Sequence, residues 1–74
     1  MTETVMTLAQ LRRRAGLTQQ ELADRMAVSQ QTVARFEMSP AGTMHVETLA
    51  RYVRAVGGTL RIRAEFPDEM VAVL

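Results

Sequence analysis

The sequence predicts a mainly α-helical domain in which four short helices are followed by one C-terminal β-strand. Apolar residues recur at helical spacing through most of the chain, which is the first observation behind this fold class. Capping residues and glycines divide the pattern into short segments, and the apolar period changes to two after Gly57 and Gly58. We therefore expect one small domain over residues 1–66, with the strand at 59–66, and a tail over residues 67–74.

Length and composition are those of a soluble globular domain with a modest core. The chain has 74 residues, of which 47% are hydrophobic and 23% charged, so a second copy could add to the buried surface. No apolar run approaches the roughly 20 residues that span a bilayer, and the opening MTETVMTLAQ lacks the basic and then apolar order of a signal peptide. We therefore expect a cytoplasmic protein.

Charge and cysteine content exclude some kinds of function and leave others open. The absence of cysteine excludes disulfides, thiolate metal sites and a cysteine nucleophile. A net charge of +1 is low for a protein that binds nucleic acid by undirected electrostatics. All nine basic residues are arginine, whose guanidinium pairs with phosphate and guanine, although a codon bias toward arginine explains this equally well.

The first two helices are defined by their caps. Helix 1 is predicted over residues 7–15, where apolar residues share one face, and Gly16 ends it. Thr18 and Glu21 have the spacing of a capping box, in which each side chain binds the other residue's backbone amide. Helix 2 should therefore begin near residue 19. Its predicted inward residues are Leu22, Ala23 and Met26.

The third and fourth helices flank a loop. Ser29 supplies an N-cap for helix 3, which we expect to run to about Glu37. Residues 38–43, MSPAGT, are typical of a loop, and helix 4 follows from about His45 to the double glycine. Its predicted inner face consists of Val46, Leu49, Ala50 and Val53. Helices of this length are not stable alone, so they must pack against one another.

The segment TLRIRAEF, residues 59–66, alternates apolar and polar residues as a half-buried strand does. Its apolar residues, which form the predicted dimer interface, are Leu60, Ile62, Ala64 and Phe66. A single strand in a helical chain lacks a partner for its backbone groups, so we expect the same strand of a second copy to pair with it across a two-fold axis. The apolar tail after Pro67 is either a last strand or helix packed on the dimer, or a docking segment for a partner.

Helix 3 has one apolar side and one polar side that suits base recognition. At about 100° per residue, Val33 and Phe36 fall together and face the core. The opposite side carries Gln30, Gln31, Ala34 and Arg35. Glutamine pairs bidentately with adenine, arginine with guanine, and an alanine methyl contacts the thymine methyl. These residues also suit any solvated helix face, but a capped helix, a short turn and a helix that opens with polar side chains together favour base reading.

The same residues carry a family resemblance. Residues 11–37, LRRRAGLTQQELADRMAVSQQTVARFE, resemble the helix-turn-helix of the lambdoid phage repressor and Cro group, often called the XRE family, chiefly through GLTQQELA and VSQQTVARFE. Residues 47–68, ETLARYVRAVGGTLRIRAEFPD, resemble a narrower branch, the HigA-like antitoxins that neutralise a HigB-like toxin and repress their own operon. The resemblance implies a lambda-repressor-like bundle and a homodimeric repressor that binds double-stranded DNA at a near-palindromic operator. Its implied partner is a HigB-like ribonuclease, as in type II toxin–antitoxin pairs.

The resemblance also implies roles for individual residues. The residues that match the family's base-contacting positions are Gln30, Gln31 and Arg35. Gln19 matches a glutamine that holds a DNA phosphate, at the positive end of helix 2. Arg12 and Glu37 match a partly buried ion pair that ties helix 1 to the end of helix 3. Further phosphate contacts are expected at Ser29, Thr32, Arg13 and Arg14, and in the loop at Ser39 and Thr43.

The sequence leaves three points open. Arg13 and Arg14 fit a solvated charge run at least as well as a phosphate contact. After Glu37 the chain departs from the phage repressors, because MSPAGT, helix 4 and a strand replace their glycine and further helices. Their dimer arrangement is therefore not carried over. The alternatives to an antitoxin are a stand-alone regulator without a toxin and an interaction module that keeps the fold as a scaffold.

No catalytic or metal site is expected. His45 has neither cysteines nor a carboxylate pair near it in the sequence, which favours a helix-start residue over a metal ligand. Ser29 lacks a histidine or lysine in motif relation to it, and its hydroxyl suits an N-cap. Glu21 belongs to the capping box and so does not form a catalytic carboxylate pair with Asp24. We expect a protein that is not an enzyme and that needs no cofactor.

Overall fold

The structure is a computed structural model that describes residues 4–74 as four α-helices and a small antiparallel sheet. The elements are α1 (Leu8–Arg14), α2 (Gln19–Met26), α3 (Gln30–Met38), a 3₁₀ turn (Ala41–Thr43), α4 (Val46–Ala55), β1 (Arg63–Glu65) and β2 (Met70–Ala72). The four predicted helices are confirmed. The first three residues of the predicted domain lie outside the described residues. Within residues 4–74, no helix has the length and apolar character to cross a membrane.

Three of the four helices begin at a side-chain cap. The hydroxyls of Thr7, Thr18 and Ser29 accept the backbone N–H three residues later, at 3.2, 3.1 and 3.1 Å. The predicted capping box of Thr18 is confirmed, and Thr7 forms a second one with Gln10. His45 occupies the N-cap of α4 without a side-chain hydrogen bond to the helix. The helix starts are therefore set locally by residues that satisfy the first free amides.

The core lies between α2 and the three other helices. Its buried hydrophobic residues are Leu8, Leu17, Leu22, Ala23, Met26, Val33 and Tyr52. The predicted inner face of α4 was wrong in part: Val46 is 47% exposed, whereas Tyr52 has no exposed surface. The reason is a polar contact, since the Tyr52 hydroxyl lies 2.9 Å from the carbonyl oxygen of Leu8 and this contact turns the ring inward. Leu49 packs against the core as expected.

A buried ion pair joins the helices. Arg12 donates through Nε and Nη2 to the two carboxylate oxygens of Glu37, at 2.8 and 3.0 Å, and through Nη1 to the carbonyl oxygen of Leu17 at 2.9 Å. The side chains of Arg12 and Glu37 are only 9% and 5% exposed. The Tyr52 hydroxyl lies 2.7 Å from Glu37 Oε2 and the Gln19 amide donates to Oε1 at 3.2 Å. One residue from each of the four helices therefore meets at this carboxylate.

The network shifts the pKa values of its members. Burial of Glu37 acts to raise its pKa, but the hydrogen bonds from Arg12, Tyr52 and Gln19 outweigh burial and hold the pKa below its ordinary value. The hydrogen bond to Glu37 raises the pKa of Arg12, and burial followed by the same carboxylate raises the pKa of Tyr52. Within the described residues, no buried side-chain nitrogen or oxygen lacks a hydrogen-bond partner. The hydrogen bonds therefore offset the free-energy penalty of removing the two charges from water.

The turn between α2 and α3 stores backbone strain at Ala27. This residue has φ 57° and ψ 43°, which lies in the left-handed region, a conformation that is unfavourable for residues with a Cβ atom. The conformation lets the amide of Val28 reach the carbonyl oxygen of Ala23 at 3.0 Å, which closes the helix. Across the same end of the bundle, Arg25 donates to the carbonyl oxygen of Ala55 and Arg51 to that of Met26. Each arginine thus caps the last turn of the other's helix.

The C-terminal segment corrects the prediction of a lone strand. Residues 63–65 form β1, shorter than the predicted 59–66, and pair with β2 of the same chain in an antiparallel register that places Ala64 opposite Val71. Phe66 donates its backbone N–H to the carbonyl oxygen of Glu69 at 2.8 Å across the turn formed by Pro67 and Asp68. The tail therefore contains a last strand, one of the forms expected for it. The continuous apolar run MVAVL did not by itself distinguish a strand from a helix, because it lacks the alternation that identified β1.

The strain at Ala27 predicts that glycine stabilises the turn. We expect Ala27→Gly to raise the free energy of unfolding by about 0.5–1 kcal/mol, because glycine adopts positive φ without a steric cost. Ala50→Gly is the matched control, since Ala50 lies inside α4, where glycine should lower the same free energy by about 0.5–1 kcal/mol. Urea unfolding of both variants measures the difference. Equal destabilisation by the two changes would contradict strain at Ala27.

The pKa of Glu37 predicts a dependence of stability on pH. Its pKa is lower in the folded chain than the ordinary value of 4.5, so the ion pair contributes fully above pH 4.5 and its contribution disappears as pH falls through the lower, folded value. We expect Glu37→Gln to lower the free energy of unfolding by about 3 kcal/mol at neutral pH. Below pH 4.5, the free energy of unfolding of the variant should also fall less steeply with decreasing pH than that of the native chain.

Urea unfolding at a series of pH values between neutrality and acid tests this prediction. Glu21→Gln is the comparator, because hydrogen bonds from Thr18 also lower the pKa of Glu21, but at an exposed helix start. At acid pH, Glu21→Gln should reduce the dependence of the free energy of unfolding on pH less than Glu37→Gln does, since exposed interactions are screened by solvent. If the free energy of unfolding falls with decreasing pH at the same slope in the native chain and in Glu37→Gln, the ion pair contributes no pH-dependent stability.

Candidate nucleic-acid interface

The outward side of α3 presents the predicted reading residues. Gln30, Gln31 and Arg35 are exposed, whereas Val33 has no exposed surface and Phe36 packs against the core. Because Ser29 fixes the first turn and Glu37 anchors the last, the helix is held at both ends. The polar side chains of this side are therefore presented on a helix that has stabilising contacts at both ends.

The first residues of α2 and α3 meet at this surface. Gln19 donates its amide to Glu37 Oε1 at 3.2 Å, and its own carbonyl oxygen lies 3.5 Å from the Gln30 amide nitrogen. The predicted phosphate contact and the predicted base reader thus lie side by side, connected to the buried carboxylate. The sequence motif placed both residues but carried no signal that Glu37 would join them.

A second group of hydroxyls surrounds Arg35. Ser29 Oγ lies 2.9 Å from Thr32 Oγ1, and Arg35 Nη2 donates to the same Thr32 oxygen at 3.4 Å. Ser29 is exposed and Thr32 is half-buried, so both predicted phosphate contacts border the reading side. In the structure, Thr32 also supports the guanidinium of Arg35.

Arg13 and Arg14 occupy the last turn of α1. Both are exposed, and Arg14 Nη1 lies 4.0 Å from the sulfur of Met6. Positive charge at the C-terminal end of a helix is favourable in itself. Their position therefore agrees with a structural role as well as with a phosphate contact.

The loop after α3 borders a groove that sequence reasoning only partly identified. A cavity of about 230 Å³ lies beside Arg35 and is lined by Ser39, Thr43, His45 and Thr48 among others. The two loop residues were expected near DNA, whereas His45 and Thr48 were not. The N-cap position of His45 was the available signal, since a residue at a helix start lies close to the preceding loop.

The interface offers hydrogen-bond donors and acceptors without a metal centre. No group of histidine and carboxylate residues among residues 4–74 has the arrangement of a metal site. Amides, hydroxyls and one guanidinium are groups that bind base edges and phosphate oxygens.

Comparisons with known protein families and curated proteins agree with this geometry. A family model described as a helix-turn-helix domain matches residues 5–66. Antitoxin HigA1 of Mycobacterium tuberculosis is 43% identical over 60 residues, which cover 81% of this chain and 40% of that protein. Putative antitoxin HigA3 of the same organism is 40% identical over 65 residues, which cover 86% of this chain and 60% of that protein. The chain thus spans only part of the length of these curated relatives.

Solved structures match over nearly the whole chain. A chain described as "DNA bound antitoxin HigA3" has a TM-score of 0.87 and 36% sequence identity, covering 97% of this chain and 94% of that one. Another, described as "Induced DNA bending by unique dimerization of HigA antitoxin", has a TM-score of 0.85 and 35% identity, covering 99% and 97%. The chain therefore belongs to the XRE-type helix-turn-helix domain family, in its HigA-like branch.

Proposed function

We propose that this chain is a sequence-specific DNA-binding repressor that acts as a homodimer and serves as the antitoxin of a type II toxin–antitoxin pair. The observation that carries the proposal is the outward side of α3. Gln30, Gln31 and Arg35 are exposed there, on a helix whose ends are held by a cap and a buried ion pair. A relative described as a DNA-bound antitoxin shares the fold with a TM-score of 0.87.

Base reading follows from the chemistry of these side chains. A glutamine amide can accept from adenine N6 and donate to N7, and an arginine can donate twice to guanine O6 and N7. The N-terminal residues of a recognition helix reach furthest into the major groove. Gln30 and Gln31 belong to the first turn of α3, and Arg35 follows about one turn after Gln31 on the same side. An operator with adenine and guanine at the matching positions fits this order.

Phosphate contacts would fix the register of the helix on DNA. Gln19 begins α2, where backbone amides and the helix dipole favour an anion. Ser29 and Thr32 border the start of α3 and offer hydroxyls at the rim of the reading side. These contacts hold the backbone of any sequence, so they would contribute affinity rather than discrimination.

The C-terminal hairpin supports a dimer. Ala64 pairs with Val71, so the two share one face of the hairpin, and alternation puts the adjacent Ile62 and Val73 on that face as well. That face lacks a cover in a single chain, since Val71 and Val73 are 41% and 65% exposed. Apolar strands of this kind suit burial against a second copy. Two α3 helices about 34 Å apart would then enter successive major grooves.

The antitoxin role is supported by the relatives that bear this name. The proposed partner is a HigB-like ribonuclease toxin, which the antitoxin would bind and block while repressing the shared operon. Affinity purification of the tagged chain, expressed with its native flanking genes, tests this role. A stoichiometric small partner with ribonuclease activity is the expected result. Purification of the chain alone, still bound to its upstream DNA, would favour a stand-alone regulator and contradict the antitoxin role.

Loss of a reading side chain should reduce both affinity and base preference. We expect Gln31→Ala and Arg35→Ala each to weaken binding to the chain's own upstream operator by about 1–3 kcal/mol and to relax preference at one base pair. Titration of labelled operator duplexes, intact and with single base-pair changes, measures both effects. Arg54→Ala removes the same charge from an exposed position in the last turn of α4 and is the control. If Arg35→Ala behaved like this control, α3 would not be the reading helix.

A charge on the apolar face of the hairpin should dissociate the dimer. Val73→Asp is expected to yield monomers in sedimentation velocity and to weaken operator binding by about 100-fold or more through lost bivalency. Val73 is largely exposed in the single chain, so the change should leave the monomer folded. Ala72→Asp is the matched control, because it introduces the same charge on the opposite face, beside Arg63. If Val73→Asp remained dimeric and bound the operator with unchanged affinity, the dimer interface would have to lie elsewhere.

A further inference from the structure

We infer that Glu37 is a positioning residue for base reading, because its carboxylate fixes the amide orientation of Gln19 and, through Gln19, that of Gln30. The inference rests on the proposed function, in which Gln30 reads a base. It assigns to the buried ion pair a role in specificity besides its role in stability.

The chemistry of the carboxylate allows only one orientation of Gln19. An ionised carboxylate accepts hydrogen bonds and cannot donate them, whereas a glutamine amide has a donor end and an acceptor end. Glu37 Oε1 therefore faces the NH₂ group of Gln19, at 3.2 Å. The Gln19 carbonyl oxygen is turned the opposite way, toward the amide nitrogen of Gln30 at 3.5 Å. Reversing Gln19 would place two acceptors against each other.

The orientation of Gln19 in turn restricts the orientation of the Gln30 amide. Because the Gln19 carbonyl oxygen can only accept, it favours the NH₂ end of Gln30 on its side. One N–H and the carbonyl oxygen of Gln30 then remain for a base, which is the pair of groups that adenine N7 and N6 require. A reversed amide would exchange the donor and the acceptor and would lose this match. The relay thus selects one of two nearly isosteric orientations of the reading amide.

Glu37 is itself held by contacts that do not involve the surface. Arg12 donates to both carboxylate oxygens, and the Tyr52 hydroxyl lies 2.7 Å from Oε2. The Glu37 side chain is only 5% exposed, so water competes little for its oxygens. The orienting group therefore belongs to the rigid interior, whereas the two glutamines that it orients lie at the surface. Preorganisation of this kind removes an ordering cost from binding.

Glu37→Gln tests the inference, because a carboxamide can turn an NH₂ group toward Gln19 and let both amides reverse. The base pair that Gln30 reads is first identified as the one whose change no longer affects binding in Gln30→Ala. We expect Glu37→Gln to lose about five-fold or more of the discrimination at that base pair. Discrimination at the base pair read by Arg35, and affinity for random-sequence duplex, should stay within two-fold or so of the native chain.

Tyr52→Phe is the matched control. It removes another hydrogen bond to Glu37 and disturbs the same network, but it leaves the carboxylate that Gln19 faces. Its discrimination at the base pair of Gln30 should equal that of the native chain. If Glu37→Gln and Tyr52→Phe change discrimination equally, or if Glu37→Gln weakens binding to all duplexes alike, Glu37 acts through stability alone and the inference is wrong.

A second variant separates the loss of the carboxylate from the loss of stability. The double change Arg12→Met, Glu37→Met removes the acceptor of Gln19 without leaving an unpaired buried charge. It should lose the same discrimination as Glu37→Gln. If the native chain binds its operator and Gln30→Ala keeps every base preference, the inference fails while the proposed function stands. Absence of operator binding by the native chain would overturn both.

Discussion

The ion pair between Arg12 and Glu37 is the constraint on which the rest of the structure depends. Two charges buried in the core of a small domain are stable only if every hydrogen-bonding group around them is satisfied. Arg12, Tyr52 and Gln19 meet this condition from three different helices, so the carboxylate fixes how α1, α2 and α4 lie against α3. Removal of one partner typically costs about 3–5 kcal/mol, a large part of the 5–15 kcal/mol that stabilises a domain.

Much of the bundle could be predicted because its signals are local. Thr18 and Ser29 satisfy amides within their own first turns, so the helix starts are encoded by residues three positions apart. The buried and exposed sides of α3 follow from helical geometry once Val33 is placed in the core. The contact between Arg12 and Glu37 spans 25 residues, and it was predicted only through the resemblance of the flanking motif.

What could not be predicted depends on contacts between distant segments. Tyr52 is amphipathic, and its burial became evident only when its hydroxyl met Leu8 and Glu37. The sequence left β2 undecided between a strand and a helix, because MVAVL is apolar on both faces, a pattern that a strand shares with a buried helix. The contacts that run from Glu37 through Gln19 to Gln30 were also missed, since two glutamines 11 residues apart carry no pattern that links them.

The same ion pair would connect base reading to dimer geometry in the proposed homodimer. Tyr52 ties α4 to the end of α3, and α4 passes into the hairpin through a tight turn in which Gly57 adopts φ 92° and Gly58 donates to Val53 at 2.9 Å. A two-stranded hairpin with three-residue strands is marginal without a cover, which the proposed second copy would provide. In such a dimer, the spacing of the two proposed reading helices would depend on how the hairpin is oriented relative to α4. A fixed spacing would restrict which half-site separations can be bound, so operator specificity would then depend on the dimer geometry as well as on the proposed reading side chains.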